Sequence, residues 1–223
     1  MRYERVVEGI FKNRPSRFIA FCDVAGTVQK VHVKNTGRCR ELLIPGVKVV
    51  LSISDNPSRS TAYDLIAVYK GSRLVNIDSQ APNAVVKESF TRVCPCDTFQ
   101  PEFTFGESRF DFSAVRDGKR IFVEVKGVTQ EDRNHVMFPD APTDRGLKHV
   151  RELTDLSRQG YECYIVFVIQ MSDVDFFVPN YEIHRDFGIA LKEASDAGVR
   201  VMAFDSQVTE DSMVLGDGVE VRF

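Results

Sequence analysis

The sequence predicts a two-domain α+β / α/β protein, in which an N-terminal β-barrel precedes a mixed β-sheet flanked by helices. The first part contains short apolar runs that recur about every 8 to 12 residues with turn signals between them, which is typical of a small barrel or sandwich. The second part alternates helical and extended patterns, which is typical of an α/β sheet. We therefore predict domains at residues 1–81 and 82–223.

The predicted strands of the first domain are separated by turns that contain glycine or proline. They lie at residues 17–24, 28–34, 47–54, 61–70 and 73–79. Five strands of this length fit an oligonucleotide-binding (OB-like) barrel. The loop KNTGRCRE, residues 34–41, carries three basic side chains beside Gly37 and is suited to gripping phosphate: Lys34, Arg38 and Arg40. An ordinary polar, exposed loop remains the alternative.

The second domain begins with a predicted helix at residues 81–93, where Pro82 lies in the first turn. A hairpin follows, and then a loop that contains a short strand. A helix at residues 143–160 is capped by Thr143 or Asp144 and ends at Gly160. Its polar face carries Arg145, Lys148 and His149. The remaining predicted elements are a buried strand, a helix and a final strand, at residues 161–170, 185–198 and 199–208.

Charge differs between the two domains. Residues 1–81 carry 13 Lys+Arg and 7 Asp+Glu, a net charge of +6, whereas residues 82–223 carry 16 and 25, a net charge of −9. A basic barrel could bind the phosphate groups of a nucleic acid. The negative charge of the second domain must be balanced by positive charge, and a bound metal ion is one source of it. Two ordinary solvated surfaces would give the same totals.

Cysteine and hydropathy patterns favour a cytoplasmic protein without a membrane partner. We find no apolar run long enough to span a bilayer, and the start MRYERVVEGI is too charged for a signal peptide. Five scattered cysteines do not form the pattern of a disulfide framework. The close pair Cys94 and Cys96 lacks a second pair at zinc-site spacing. Oligomeric state cannot be predicted from these patterns.

The predicted hairpin, SRFDFSAVRDGKRIFVEVKG, turns at Asp117-Gly118. That turn pairs Asp111 with Glu124 and Arg109 with Lys126 on one face of the sheet. Two carboxylates directly opposite each other repel, and a divalent cation would offset the cost. A β-bulge would shift this register by one residue. The apolar positions share the other face: Phe110, Phe112, Ala114, Val123 and Val125.

An Asp on one strand and Glu-x-Lys on the next resemble the PD-(D/E)xK nuclease superfamily, although Phe110 stands where that motif has proline. In that superfamily the Asp and the Glu bind Mg²⁺, and the Lys activates the attacking water. Mg²⁺ prefers hard oxygen ligands, and bound metal makes hydroxide available. A salt-bridged outer strand face is the alternative, because Glu-x-Lys is common on exposed strands.

Longer blocks resemble the sugar fermentation stimulation protein family (SfsA) over about residues 15 to 205. These blocks, in order, are NTGRCRELLIPGVKVVLS, YDLIAVYKGSRLVNIDSQAPNAVVKE, GESRFDF, VEVKGVT, FPDAPTDRGLKHVREL and YECYIVFVIQ. The resemblance implies an OB-like barrel followed by a PD-(D/E)xK nuclease-like mixed sheet flanked by helices. It also implies DNA binding and a regulatory link to the use of sugar, particularly maltose.

Carried over by position, the resemblance implies that Asp111 and Glu124 bind Mg²⁺ or Mn²⁺ and that Lys126 is catalytic. Glu107, four residues before Asp111, is a further catalytic candidate if the strand extends that far. The expected DNA contacts are Lys34, Arg38, Arg40, Arg109, Arg145, Lys148 and His149.

We therefore predict a protein that binds DNA without strong sequence specificity and hydrolyses phosphodiester bonds. A non-enzymatic DNA-binding regulator of sugar (maltose) metabolism genes is the alternative. A metal-dependent hydrolase of a small phosphorylated molecule is a third hypothesis. Binding to DNA that weakens steeply with salt would count against the third hypothesis.

Overall fold

The computed structural model describes residues 1–35 and 37–223. Within these residues the chain forms fifteen strands and four helices, arranged as a barrel followed by a mixed sheet. The barrel strands are β1 Val6–Ser16, β2 Ile19–Val24, β3 Thr27–Val33, β4 Lys48–Ile53, β5 Tyr63–Lys70 and β6 Arg73–Asn76. The five strands predicted in this part are β2 to β6.

Barrel closure depends on one parallel pairing. The strands are ordered β3-β2-β1-β4-β5-β6, and β3 also pairs with β5, so that the described residues of β1 to β5 form a closed ring. β1 was not predicted, because its sequence VVEGIFKNRPS buries only Gly9 and Phe11 and shows little apolar alternation. Strand-like burial is instead evident in β5, where five consecutive residues are buried.

The second unit contains the elements from α1 onward. These are α1 Ala81–Glu88, α2 Phe90–Val93, β7 Thr98–Phe105, β8 Ser108–Arg116, β9 Lys119–Val128, β10 Gln130–Asp132, β11 His135–Phe138, α3 Asp144–Arg158, β12 Glu162–Ile169, β13 Phe176–Pro179, α4 Arg185–Asp196, β14 Arg200–Val208 and β15 Met213–Val221. Among the described residues the sheet order is β10-β11-β13-β15-β14-β12-β9-β8-β7. β9, β12 and β14 are parallel neighbours, and β8 pairs antiparallel with β9.

Helices cover both faces of the second sheet. α3 and α4 pack on one face, with Val150, Leu153 and Leu191 in a cluster that also contains barrel side chains such as Phe11. α1 and α2 pack on the other face. One apolar core therefore joins the barrel to the α3 side of the sheet, and the predicted boundary between residues 81 and 82 stays a prediction.

Several second-domain elements differ from the sequence-based expectation. The single helix predicted at residues 81–93 is broken at Ser89, where φ is −113° and ψ is 20°. β7, β13 and β15 were not predicted, because β7 and β15 are largely exposed and β13 has only four residues. The predicted cap of α3 is confirmed, since Thr143 Oγ1 accepts the N–H of Gly146 at 3.1 Å.

Thiol and membrane predictions can also be compared with the structure. All five cysteines are free thiols, as the scattered positions predicted. In the described part of the chain, no helix has both the length and the apolar character that crossing a bilayer requires.

Candidate metal and phosphate site

The turn of the β8–β9 hairpin has the predicted register. Asp117 and Gly118 both have positive φ, 48° and 73°, as a two-residue type I′ turn requires. Pairing then runs from Arg116 opposite Lys119 to Phe112 opposite Val123. The sequence-predicted register is therefore confirmed over this length.

The two strands stop pairing immediately before the predicted carboxylate pair. Asp111 and Glu124 come next in the register, but the described ladder ends at Phe112 and Val123. Asp111 instead accepts the backbone N–H of Val125 on its Oδ2, at 2.8 Å. The side chain of Asp111 thereby satisfies a strand donor that no longer has a ladder partner.

A backbone irregularity at Asp111 also changes which face its neighbour occupies. Glu102, opposite Asp111 on β7, has a φ of 52°, and the β7–β8 pairing skips these two residues. Phe110 packs against Phe122 on the α3 side of the sheet, whereas Phe112 packs on the α1 side. The prediction that Phe110 and Phe112 share one face is therefore wrong, because the regular alternation of faces is interrupted at Asp111, where β8 leaves its pairing with β9.

Asp111 lies in a largely buried, partly repulsive environment. Its Oδ1 accepts from Asn83 Nδ2 at 2.8 Å, which ties β8 to the first turn of α1. Burial raises the pKa of Asp111, and the negative charge of Glu124 raises it further. Sequence reasoning missed Asn83, which is 28 residues away along the chain, since no motif connects the two.

Glu124 is 3% exposed, and its two carboxylate oxygens differ in their hydrogen-bond partners. Its Oε1 accepts from Lys126 Nζ at 2.5 Å and also hydrogen-bonds His149 Nδ1. Burial raises the pKa of Glu124, but the His149 hydrogen bond and the Lys126 charge outweigh it, so that the pKa lies below its usual value. Its Oε2 is buried and has no hydrogen-bond partner in the part of the chain that the structure describes.

These side chains line one polar cavity of about 230 Å³, which we call the site cavity. Arg109 and Arg145 contribute basic groups to its wall, and Lys126 lies at its floor beside Glu124. The complete lining is Ser79, Pro82, Asn83, Glu102, Arg109, Phe110, Asp111, Glu124, Val125, Lys126, Gly127, Arg145 and His149.

The donor set of the site cavity fits a hard divalent cation. Among the described residues, no group of three or more His, Cys, Asp and Glu side chains has a metal-binding arrangement. Mg²⁺, however, is usually held by one or two carboxylates and several waters. Asp111 and Glu124 supply two carboxylates. The buried Oε2 of Glu124 is costly to leave unsatisfied, and a cation would satisfy it.

Two predicted site residues lie elsewhere than expected. Glu107 was expected to share the strand face of Asp111 only if the strand extended that far, and it does not, because β8 begins at Ser108 and Glu107 lies in the turn between β7 and β8. It borders another cavity, together with Glu152 and Asp155. His149 is 7% exposed, so its predicted place on the exposed face of α3 is wrong. The helix turns this side chain inward because Glu124 lies beneath it.

The predicted DNA-contact residues other than His149 fall into three groups, which are two arginines at the site cavity, two lysines paired with acidic side chains and two arginines of the barrel loop. Arg109 and Arg145 are exposed at the rim of the site cavity. Lys148 is exposed on α3 and lies 3.5 Å from Glu152, away from that cavity. Lys34 is half-buried, and its Nζ lies 3.3 Å from Asp78 and 3.6 Å from Asp64, so its charge is already paired.

Arg38 and Arg40 form the third group and lie in a separate groove. This groove, of about 720 Å³, runs between the barrel and the loop that precedes α3, and we call it the arginine groove. Its lining is Phe11, Asn13, Arg14, Pro15, Ser16, Arg17, Gly37, Arg38, Arg40, Leu43, Pro45, Ala141 and Pro142.

Comparison with known protein families identifies both halves of the chain. The family described as "Sugar fermentation stimulation protein RE domain" matches residues 80–212. The "SfsA N-terminal OB domain" matches residues 13–77. The chain belongs to the sugar fermentation stimulation protein family. The OB-like barrel and the mixed sheet with helices that the sequence predicted are thereby confirmed.

Relatives match the chain over its full length. A "Sugar fermentation stimulation protein homolog" from Desulfitobacterium hafniense (strain DSM 10664 / DCB-2) is 50% identical over 224 residues, which cover 100% of this chain and 98% of the relative. The homolog from Ruminiclostridium cellulolyticum is 49% identical over 225 residues and covers 100% of both chains.

A solved structure of an SfsA protein has the same fold. "The structure of Pyrococcus Furiosus SfsA in complex with Ca2+" superposes with a TM-score of 0.89 at 26% identity, and covers 100% of this chain and 98% of that chain. That protein was therefore solved with Ca²⁺ bound. The name shared by the family refers to the stimulation of sugar fermentation.

Proposed function

We propose that this SfsA-family protein binds DNA and hydrolyses its phosphodiester bonds with the help of a divalent metal ion. One observation carries the proposal: a buried carboxylate oxygen, Glu124 Oε2, lacks a donor among the described residues in a cavity that also contains Asp111 and Lys126. A carboxylate pair with a neighbouring ammonium, rimmed by arginines, suits a phosphate ester whose negative charge must be neutralised during hydrolysis.

Asp111 and Glu124 are the groups that would hold Mg²⁺ or Mn²⁺. A bound divalent cation supplies hydroxide at neutral pH and neutralises charge on the phosphate under attack. The Ca²⁺ named for the Pyrococcus furiosus SfsA structure belongs to the same class of hard, oxygen-preferring cations. That description supports the proposal without assigning the Ca²⁺ to particular residues of this chain.

The chain's own groups position the reacting centre. Val125 N–H and Asn83 hold the Asp111 carboxylate, and His149 holds that of Glu124. Lys126 extends from the same strand face as Glu124, and its ammonium can orient the attacking water or stabilise charge that develops on the phosphate.

Exposed arginines at the rim give the protein a way to bind DNA without reading its sequence. Arg109 is 61% exposed and lies 4.0 Å from Glu102, a distance at which the ion pair is weak in water. Arg145 is also exposed and lines the site cavity. Contacts of this kind address phosphates, so we propose DNA binding with little sequence specificity that weakens as salt rises.

A degradation assay with plasmid and single-stranded DNA, in Mg²⁺ or Mn²⁺, tests this proposal. We expect the wild type to cut DNA, and Asp111→Asn and Lys126→Ala to lose cutting by at least about a hundredfold while they still bind DNA, because each removes a group needed only for the chemical step. Lys192→Ala is the matched control, since this exposed lysine pairs with Asp196 on α4 and lies outside the site cavity. Metal-dependent cutting that survives in both site variants would refute the assigned roles.

A non-enzymatic DNA-binding regulator of sugar-metabolism genes is the second candidate, and one observation favours it. Both oxygens of Asp111 and one oxygen of Glu124 already accept hydrogen bonds from the chain's own groups. Most of the hairpin's acidic charge is thus compensated without a metal. Binding without cutting of single-stranded, duplex and branched DNA and of RNA would favour this regulator over the nuclease.

A further inference from the structure

A second, smaller cavity lies beside the site cavity and is also lined by Asn35 and Gly37 of the loop that follows β3. This connecting cavity, of about 160 Å³, shares Ser79 and Gly127 with the site cavity. It shares Gly37 with the arginine groove. The three spaces therefore lie in series, from the carboxylates of β8 and β9 to the arginines of the barrel, and we call this series the track.

The far end of this track is strongly basic. Four arginines line the arginine groove, and none of its described lining residues is acidic. Arg14 has a structural role there, because its guanidinium donates to the carbonyl oxygens of Arg17, Asn35, Gly37 and Arg38. The barrel loop is thereby held in place beside the groove.

The other three groove arginines have charge available for a ligand. Arg17, Arg38 and Arg40 are exposed, and none forms an ion pair with a residue of the described ranges. Lys34, by contrast, is already paired with Asp64 and Asp78. The cationic groups that remain available to a phosphate in this part of the barrel are therefore those of the arginine groove.

The connecting cavity limits what can pass. Its lining is mostly neutral and polar and consists of Asn35, Gly37, Ser79, Gly127, Thr129, Gln130, Met137, Phe138, Asp140 and Gln170. The carboxylate of Asp140 is the acidic exception, and burial raises its pKa. A space of about 160 Å³ is far smaller than a duplex, whose major groove alone is about 12 Å wide. A single strand brings one phosphate backbone to this space, and its unpaired bases need not enter it.

We propose that single-stranded DNA is the substrate class, and that its backbone runs from the arginine groove through the connecting cavity to the site cavity. This inference rests on the proposed function, because it names the substrate of that same site. A basic groove that follows one backbone is the usual electrostatic means by which proteins hold single strands. Arg17, Arg38 and Arg40 hold the strand, and the carboxylate pair meets one of its phosphodiesters.

Binding without metal tests the track independently of cutting. The fluorescent probes are dT12 and a 12-base-pair duplex, titrated in EDTA across a salt series. We expect dT12 to bind at least about tenfold more tightly than the duplex. The variant Arg17→Ala/Arg38→Ala/Arg40→Ala should lower the slope of log affinity against log salt by about 2, since each lost phosphate contact on a single strand removes about 0.7.

The matched control removes three other exposed arginines, in the variant Arg2→Ala/Arg5→Ala/Arg158→Ala, which changes net charge equally. It should keep the wild-type slope. An unchanged slope in the groove variant, or duplex binding as tight as dT12 binding, would overturn the track. Tighter binding of rU12 than of dT12 would overturn the assignment to DNA.

A blocking variant tests the passage itself. Ser79 is exposed between the site cavity and the connecting cavity, so Ser79→Leu should narrow their junction. We expect this variant to lose affinity for dT12 by a larger factor than for dT3, because the short strand can occupy one side of the block. Equal losses for both probes would contradict the track. Failure of cutting with dT12 binding intact would refute the nuclease proposal alone.

Discussion

Two clusters of acidic and basic side chains, one in the barrel and one in the second sheet, contain similar groups but differ in how completely those groups are satisfied. In the barrel, Asp64 accepts from Arg59 at 2.5 and 3.0 Å and from His32 at 2.9 Å. Burial raises the pKa of Asp64, but the hydrogen bonds from Arg59 and His32 outweigh it and lower the pKa. Its charged form is therefore the stable one in the folded protein.

The second buried carboxylate of the barrel, Asp78, is also well supplied with hydrogen-bond donors. It accepts hydrogen bonds from Tyr3 Oη, Lys34 Nζ and the backbone N–H of Gln80. In the second sheet, burial and a neighbouring carboxylate raise the pKa of Asp111, and Glu124 retains an oxygen without a partner among the described residues. A buried charged group does not by itself indicate a binding site. A buried charged group whose charge and hydrogen-bonding capacity are only partly satisfied does indicate one, because a ligand can make the missing interaction.

The largest expected effect lies in the satisfied cluster. Asp64→Ala removes the acceptor of Arg59 and His32 and leaves Lys34 with one carboxylate, so we expect the free energy of unfolding to fall by about 3 kcal/mol. Urea denaturation followed by circular dichroism measures it. A loss below about 1 kcal/mol would show that the barrel cluster is no better satisfied than the sheet cluster.

A somewhat smaller effect should appear when metal is added to the sheet cluster. Mg²⁺ or Mn²⁺ at a hundred times its dissociation constant should stabilise the wild type by about 2.7 kcal/mol, because it binds only the folded chain. Asp111→Asn should abolish this gain, as measured by thermal unfolding with and without metal.

Asp205→Asn is the matched control for the metal measurement. Burial raises the pKa of Asp205 as it does that of Asp111, but Asp205 lies outside the site cavity. It should respond to metal as the wild type does. Equal stabilisation of the wild type and Asp111→Asn would remove the reason for placing a cation between Asp111 and Glu124.

The smallest expected effect is the pH dependence of the stability that Asp64 contributes to the barrel cluster. Because the folded state lowers the pKa of Asp64, its contribution to stability is full above the unfolded pKa of about 4 and is lost as pH falls through the folded value. The difference in unfolding free energy between the wild type and Asp64→Asn should therefore be constant from about pH 5 to 7 and shrink below about pH 4. A difference that stays constant down to about pH 2 would contradict the hydrogen-bonded, ionised Asp64.

Local patterns predicted much of the fold. The Asp117-Gly118 turn fixes two positive φ values, and it therefore determined the hairpin register that the structure has. The buried strand β12 and the caps of α3 could likewise be predicted, because each depends on residues that are neighbours in the sequence. β1 and β15 escaped prediction because half-exposed strands with glycine and charged residues lack clear alternation.

Only part of the site could be predicted from the sequence, and the physical reason differs from that for the strands. Sequence spacing brought Asp111, Glu124 and Lys126 together, because a hairpin converts a local turn into a long-range pairing. The register could not show that pairing stops at Phe112, where the side chain of Asp111 takes the N–H of Val125 in place of a ladder bond. Glu107 and His149 were misplaced because the end of a strand and the direction of a helix face depend on what packs against them.

The sequence by itself determined the family, the two-part architecture and the acidic pair with its lysine, since each follows from local propensity or from contiguous motifs. Only the tertiary structure decided how those groups are compensated. His149 reaches Glu124 across 25 residues and Asn83 reaches Asp111 across 28, while the barrel supplies the arginine groove beside the connecting cavity. Solvation and charge compensation depend on atoms that meet only after the chain has packed, so no local pattern encodes them.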